Sequence, residues 1–244
     1  MLFDFWDTLV YTERKESEKL KRLRITNLTN ALLEAGFPAT PETIERCLDQ
    51  INAESDNIRR AGREVDLHNM MRMLMELLRT SEQNQDLEKR LWDTYANSVF
   101  SIELKVRDGA ETVLQTLRTK GYKIGLICNT YHSPSSVLRK IIQNFGLHRY
   151  FDVLVFSDEY GIPKPRPEIF LEALSRIGAE PSEAAHVGDR PDLDVLGAKN
   201  SGVKAIYLKI TDKPYPSDFP KPDATIETLS QIPQILENIK SSQE

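Results

Sequence analysis

The apolar positions follow two rhythms. Between about Glu13 and Phe100 they recur at helical spacing. Leu20, Leu28, Ala31, Leu32 and Ala35 form one stripe, and Gly36 follows as a stop signal. Thr40 and Pro41 then supply an N-cap and a proline at the first helical position, opening a second helix that carries Ile44, Leu48 and Ile51 up to Gly62. Leu67, Met70, Met71, Leu74, Met75 and Leu78 make a third stripe, and Leu87, Leu91, Tyr95 and Val99 a fourth. These stripes predict a helical bundle. The methionines are read as core, because a helical apolar stripe more often packs inside than lines an adaptable pocket.

After residue 100 short β-like runs alternate with helical segments. The runs are Ile124–Cys128, Val153–Phe156, Ala184–Val187 and Ala205–Leu208; Ala110–Lys120 and Pro134–Phe145 are among the helices. Such alternation predicts a Rossmann-like, doubly wound parallel sheet with helices on both faces, an α/β fold. The run before Asp4 is too short to stand alone and has to join that sheet. The expected organisation is therefore an α/β core formed by residues 1–14 and 101–244, with a smaller all-helical domain, 15–100, inserted.

Composition narrows the classes. No run of ~18 apolar residues offers a membrane span, and Met1–Asp4 carries no signal-peptide character, so a cytoplasmic location is expected. Cys47 and Cys128 show no metal-type spacing and fit a reducing compartment without a disulfide. A net charge of -5 and a pI near 5.6 argue against nucleic acid as a partner. The mixed charges of Glu13–Arg24 read as a solvated helix face.

In an open parallel sheet, ligands bind beyond the carboxyl ends of the strands. The polar residues at those positions are Asp4, Asn129, Lys164 and Asp189. Two carboxylates and one ammonium can hold a hard cation through oxygen and still present positive charge to an anion such as phosphate. A carboxylate such as Asp4 can attack phosphorus covalently while the cation and Lys164 offset charge on the transferring oxygens.

These residues carry a resemblance to the haloacid dehalogenase superfamily of hydrolases. Phe3-Asp4-Phe5-Trp6-Asp7-Thr8-Leu9 is similar to its first motif, Cys128-Asn129 to its second, Lys164-Pro165 to its third, and Gly188-Asp189 through Asp194 to its fourth. The inserted helices resemble the superfamily's helical cap. The resemblance implies Asp4 as nucleophile, Lys164 as its cationic partner, and Mg²⁺ held by Asp4, the main-chain carbonyl of Trp6 and Asp189, with Asp194 acting through water. It implies a phosphatase acting on a small phosphorylated molecule.

Two positions depart from the pattern. Trp6 stands where the phosphatases usually have a second aspartate that acts as general acid and base; losing such a group typically costs ~10²- to 10⁴-fold in rate. Asp7, one residue on, is the candidate replacement, unless it only shapes the turn. Cys128 stands where a hydroxyl usually binds the phosphoryl oxygen; a thiol is a weaker donor, leaving Asn129, Thr130 and backbone amides to compensate. His186 lies in an apolar strand run and reads as a packing residue. Arg190 and Asp192 flank the fourth motif as secondary candidates, Asp192 equally as a helix cap. Two other readings stay open: a 2-haloacid dehalogenase, whose members carry an aromatic residue at the Trp6 position, and a phosphate- or metal-binding module without efficient turnover.

Overall fold

The computed structural model describes residues 1–80 and 84–241; residues 81–83, inside the stretch read as helical, and 242–244 lie outside the described residues. The chain forms two compact units. One contains Met1–Tyr11, Lys105–Asn129 and Ile141–Glu244, the other Thr12–Leu104 and Thr130–Lys140. Residues 12–14 and 101–104, expected with the α/β core, therefore group with the helices. The cause is local: the Thr12 hydroxyl donates to the Glu103 carbonyl at 2.8 Å, and the Glu103 amide donates to the Glu16 carboxylate at 3.1 Å. Residues 130–140 also group with the helices.

The strands among the described residues are β1 Leu2–Phe3, β2 Val10–Tyr11, β3 Lys105–Val106, β4 Gly125–Cys128, β5 Val153–Phe156, β6 Ala185–Gly188, β7 Lys204–Leu208 and β8 Ala224–Ile226. Six of them form one parallel sheet in the order β5-β4-β1-β6-β7-β8, and β2 pairs antiparallel with β3. The chain steps from β1 to β4 and β5 on one side, then returns across β1 to run outward through β6, β7 and β8. That reversal opens a crevice at the carboxyl ends of the central strands. Although β1 has only two residues, it lies at the centre of the sheet. Leu2 pairs with both Gly125 and His186, Leu2 and Phe3 are fully buried, and the Asp4 amide extends the ladder to the Val187 carbonyl at 2.9 Å. Such apolar strands suit a sheet covered on both faces. Gly125 leaves room for this, since a Cβ there would stand 2.8 Å from Leu2 Cδ2. The edge strand β8 was not anticipated from the sequence; it is three residues long and buries only Ile226.

The helical unit holds α1 Arg14–Glu34, α2 Pro41–Arg60, α3 Leu67–Leu77 and α4 Gln85–Asn97. Each of the last three starts at a side-chain cap: Thr40, Asp66 and Asn84 accept from the amides of Thr43, Asn69 and Leu87. Gly36 takes φ of 85° just beyond α1, a left-handed conformation that glycine adopts without a Cβ penalty. The predicted stripes are buried, Met70, Met71 and Met75 included, except that Leu20 and Leu78 are half-buried and Ala35 is exposed. Val99 falls past the end of α4, in a 3₁₀ turn at Ser98–Ser101. The face read as solvated needs one correction: Lys21 and Arg22 are exposed, but Arg24 retains only 8% of its surface.

The remaining helices are α5 Ala110–Thr119, α6 Ser135–Asn144, the single turn α7 Ser157–Tyr160, α8 Pro167–Ile177, α9 Leu196–Asn200 and α10 Ile232–Ser241. Ile169, Phe170, Ala173 and Leu174 of α8 share one core with Leu2, Ile127 and Val155 of the sheet. Removing Phe170 from such a core would cost ~3–5 kcal/mol. No helix among the described residues is long and apolar enough to cross a membrane.

Candidate functional site

Asp4 follows β1 directly, Asn129 follows β4, Asp189 follows β6, and Lys164 comes from the loop after α7. The fold gathers three of these side chains with Asp194. Lys164 Nζ donates to Asp4 Oδ1 at 2.5 Å and to Asp194 Oδ1 at 2.7 Å. Carboxylate oxygens of Asp4, Asp189 and Asp194 lie within 4.8 Å of one another. Asn129 fixes the lysine from its backbone, accepting from the Lys164 amide at 2.8 Å and donating to the Lys164 carbonyl at 3.0 Å.

Asp194 is held most firmly. Its Oδ1 accepts from Lys164 and contacts His186 Nε2 at 2.9 Å, while Oδ2 accepts from the Arg190 amide at 3.0 Å. It sits in a π-helical turn, Pro191–Val195, of the kind that often marks functional sites. Its carboxyl leans against Gly188 so closely that a Cβ there would stand 2.1 Å from Asp194 Cγ. Glycine at 188 is thus a steric requirement of the cluster.

Three buried carboxylates around one ammonium are electrostatically unbalanced. Burial first, then neighbouring carboxylates, pushes Asp189 up to about 8. Burial, only partly offset by Lys164, pushes Asp4 up to about 6. Burial also works against the ionised form of Asp194, but Lys164 and His186 more than compensate and hold it below the usual carboxylate range. Lys164 is likewise disfavoured by burial, yet Asp194 and Asp4 raise it above its ordinary value. The excess of hard oxygen donors suits a divalent cation. Asp4 and Asp189 are better placed to ligate it directly than Asp194, whose oxygens are already committed.

Cys128, at the end of β4, is fully buried; burial and then the Asp4 charge push its thiol well above its ordinary value, so it stays protonated. It donates to the Asn129 carbonyl at 3.4 Å. Thr130 is buried and opens the segment that groups with the helical unit. Trp6 is half-buried and packs edge-on against Phe5, with ring centres 5.0 Å apart. Asp7 is exposed in a left-handed turn at φ 58°, its amide donating to the Val10 carbonyl at 2.8 Å. Its carboxyl is raised by partial burial, against the pull of Arg107 and Arg190, and its charge in turn raises Asp189.

Three contacts were not anticipated. His186, read as packing, does pack edge-on against Phe170, but its Nε2 meets Asp194 and its buried Nδ1 has no hydrogen-bond partner among the described residues. Arg107 Nη2 donates to the Asp7 carbonyl at 2.5 Å and its guanidinium stacks over Tyr11. Asp192 pairs with Arg190 at 2.6 Å and caps nothing.

A model of the haloacid dehalogenase-like hydrolases matches residues 1–202. The chain belongs to that family. Among curated haloacid dehalogenase-like relatives, the glyceraldehyde 3-phosphate phosphatase of Methanopyrus kandleri is 30% identical, covering 98% of this chain and 97% of the relative. Among solved structures, a 2-haloacid dehalogenase from Pseudomonas syringae pv. Tomato aligns with TM-score 0.73 at 25% identity, over 97% of both chains. A HAD phosphatase from Thermococcus onnurineus aligns with TM-score 0.64 at 27% identity, over 96% of both. The haloacid dehalogenase-like assignment thus embraces both activities.

Proposed function

We propose that the protein is a Mg²⁺-dependent phosphatase that hydrolyses a small phosphorylated metabolite through an aspartyl-phosphate on Asp4. The observation that carries the reading is the cluster of Asp4, Asp189 and Asp194 around Lys164, which joins a nucleophile, a hard-cation donor set and one cation for an anionic substrate. The match to a phosphatase along nearly the full length of both chains agrees with it.

In this reading Asp4 attacks phosphorus, and Lys164 steadies both the attacking carboxylate and the transferring oxygens. Asp4, Asp189 and the Trp6 carbonyl would hold Mg²⁺, with Asp194 acting through water. When bound, the cation offsets charge developing on the phosphoryl oxygens. Asn129, Thr130 and the backbone bind those oxygens, with Cys128 a weak contributor. Asp7 moves the proton, first to the leaving oxygen and then from the attacking water. The helical unit acts as the cap, and work in the cytoplasm agrees with two free, buried cysteines.

One specific observation favours 2-haloacid dehalogenation instead: an aromatic residue, Trp6, two places after Asp4, with a dehalogenase among the structural matches. Against it stand Asp189 and its neighbouring carboxylates, which that metal-free chemistry does not need. Hydrolysis of p-nitrophenyl phosphate with Mg²⁺ or with EDTA, and chloride release from 2-chloropropionate, separate the two. Phosphate release that needs Mg²⁺ and falls ~10⁴- to 10⁶-fold in Asp4→Asn is the expected result. Metal-independent chloride release would replace this reading with the second. Mg²⁺ binding without either turnover would leave a binding module.

A further inference from the structure

Arg107 stands directly after β3, in the same unit as Asp4 and Asp189, and grips the turn that follows β1 at three points. Its amide donates to the Leu9 carbonyl at 2.9 Å, its Nη2 donates to the Asp7 carbonyl at 2.5 Å, and its guanidinium lies 5.0 Å from the centre of the Tyr11 ring on β2. The rest of the turn is tied by its own backbone. The Phe5 carbonyl accepts from the amides of Leu9 and Val10, at 2.9 and 3.1 Å, and the Asp7 amide donates to the Val10 carbonyl at 2.8 Å. Nothing among the described residues donates to the Trp6 carbonyl.

The peptide joining Trp6 to Asp7 is trans, so its C=O points opposite to its N–H. Because that N–H is committed to Val10, the Trp6 carbonyl is turned away from β2 and left open to a cation. The orientation depends on Asp7, whose φ of 58° is one that a residue with a Cβ keeps only where its surroundings enforce it. On the amide side the enforcement comes from Val10. On the carbonyl side, among the described residues, it comes from Arg107.

We propose that Arg107 is a positioning residue for the metal site: by holding the Asp7 carbonyl it keeps the preceding Trp6 carbonyl in place to ligate Mg²⁺. The inference rests on the phosphatase reading for the cation and for Trp6 as a ligand, and adds a residue outside the four motifs. Arg107 acts through the backbone and touches neither cation nor substrate in this role. Partners that orient a metal ligand are typically worth ~10- to 100-fold in metal affinity.

Calorimetric titration of the EDTA-stripped, dialysed protein with MgCl₂ tests it, alongside thermal melts without metal. Arg107→Met keeps an apolar stem against Tyr11 and removes the donor, so its Mg²⁺ dissociation constant is expected to rise ~10- to 100-fold at an almost unchanged metal-free Tm. Arg107→Lys retains one donor for the Asp7 carbonyl and should recover part of the loss. Should Arg107→Met fail to fold, Arg107→Gln takes its place, its shorter side chain being unable to keep the same bond, with the same rise expected. Wild-type affinity in Arg107→Met or Arg107→Gln, or an equal loss in Arg107→Lys, would overturn the proposal while leaving the phosphatase reading intact. Absence of Mg²⁺ binding by the wild type would instead remove the metal site itself, and the proposal with it.

Discussion

Both units bury charge, and they leave it unbalanced in opposite directions. In the sheet unit three carboxylates share one ammonium, Lys164, and two are pushed up the pH scale as a result. In the helical unit one guanidinium, Arg59, is matched by Glu64, while another, Arg24, has no carboxylate among the described residues. Because an unmatched buried charge costs several kcal/mol after relaxation, the surplus of carboxylates in the sheet unit points to a bound cation. A matched pair such as Arg59 and Glu64 carries no such message.

The largest effect that would sharpen this contrast is at Asp7, which lies outside the three-carboxylate cluster. Asparagine tolerates the left-handed conformation that Asp7 adopts, so Asp7→Asn keeps the turn and removes only the titrating oxygen. A fall in kcat of ~10²- to 10⁴-fold is expected from general acid–base loss. An unchanged kcat, measured with p-nitrophenyl phosphate and Mg²⁺, would confine Asp7 to the turn.

Arg59→Met comes next and probes the matched pair. Removing the guanidinium strands Glu64, whose side chain is only 4% exposed, and should lower unfolding stability by ~3–5 kcal/mol in urea melts. A cost below 1 kcal/mol would break the contrast drawn between Arg59 and Arg24.

The smallest effect is the pH dependence of the sheet cluster. Asp4 and Asp189 have folded-state values of about 6 and about 8, above the 3.8 of an unperturbed aspartate. Stability contributed by their neutral forms is complete below about 4 and is lost as pH rises through 6 and then 8. Since Mg²⁺ takes the ionised form, its binding should release protons and tighten over the same interval. The Tm increment from Mg²⁺ should accordingly be larger at pH 8.5 than at pH 6. An increment independent of pH would mean that these carboxylates are already ionised without metal.

Much of the architecture was legible in the chain, for an identifiable reason in each case. Period and caps disclosed α1 to α4, and the rule that ligands sit at strand ends drew attention to Asp4, Lys164 and Asp189, which the fold does bring together with Asp194. What escaped was contact between residues with bland sequence signals. His186 sits in an apolar run, as a packing histidine would, and nothing there indicates that Nε2 meets Asp194. Arg24 closes a charged stretch that reads as solvated, yet in the fold it is buried and meets Tyr95 and His132. The grouping of 130–140 with the helices was equally hidden, because it depends on contacts far apart in sequence rather than on periodicity.

The position of β1 bears on how the chain is assembled. Leu2 precedes its partners Gly125 and His186 by about half and about three quarters of the length of the protein. At ~5–20 residues per second, a ribosome takes roughly 10 to 40 s to travel from Leu2 to His186. Until β4 is made, Leu2 and Phe3 have no strand to pair with, and until β6 is made they have a partner on one side only. The segment that carries Asp4 is thus translated early and fully seated late.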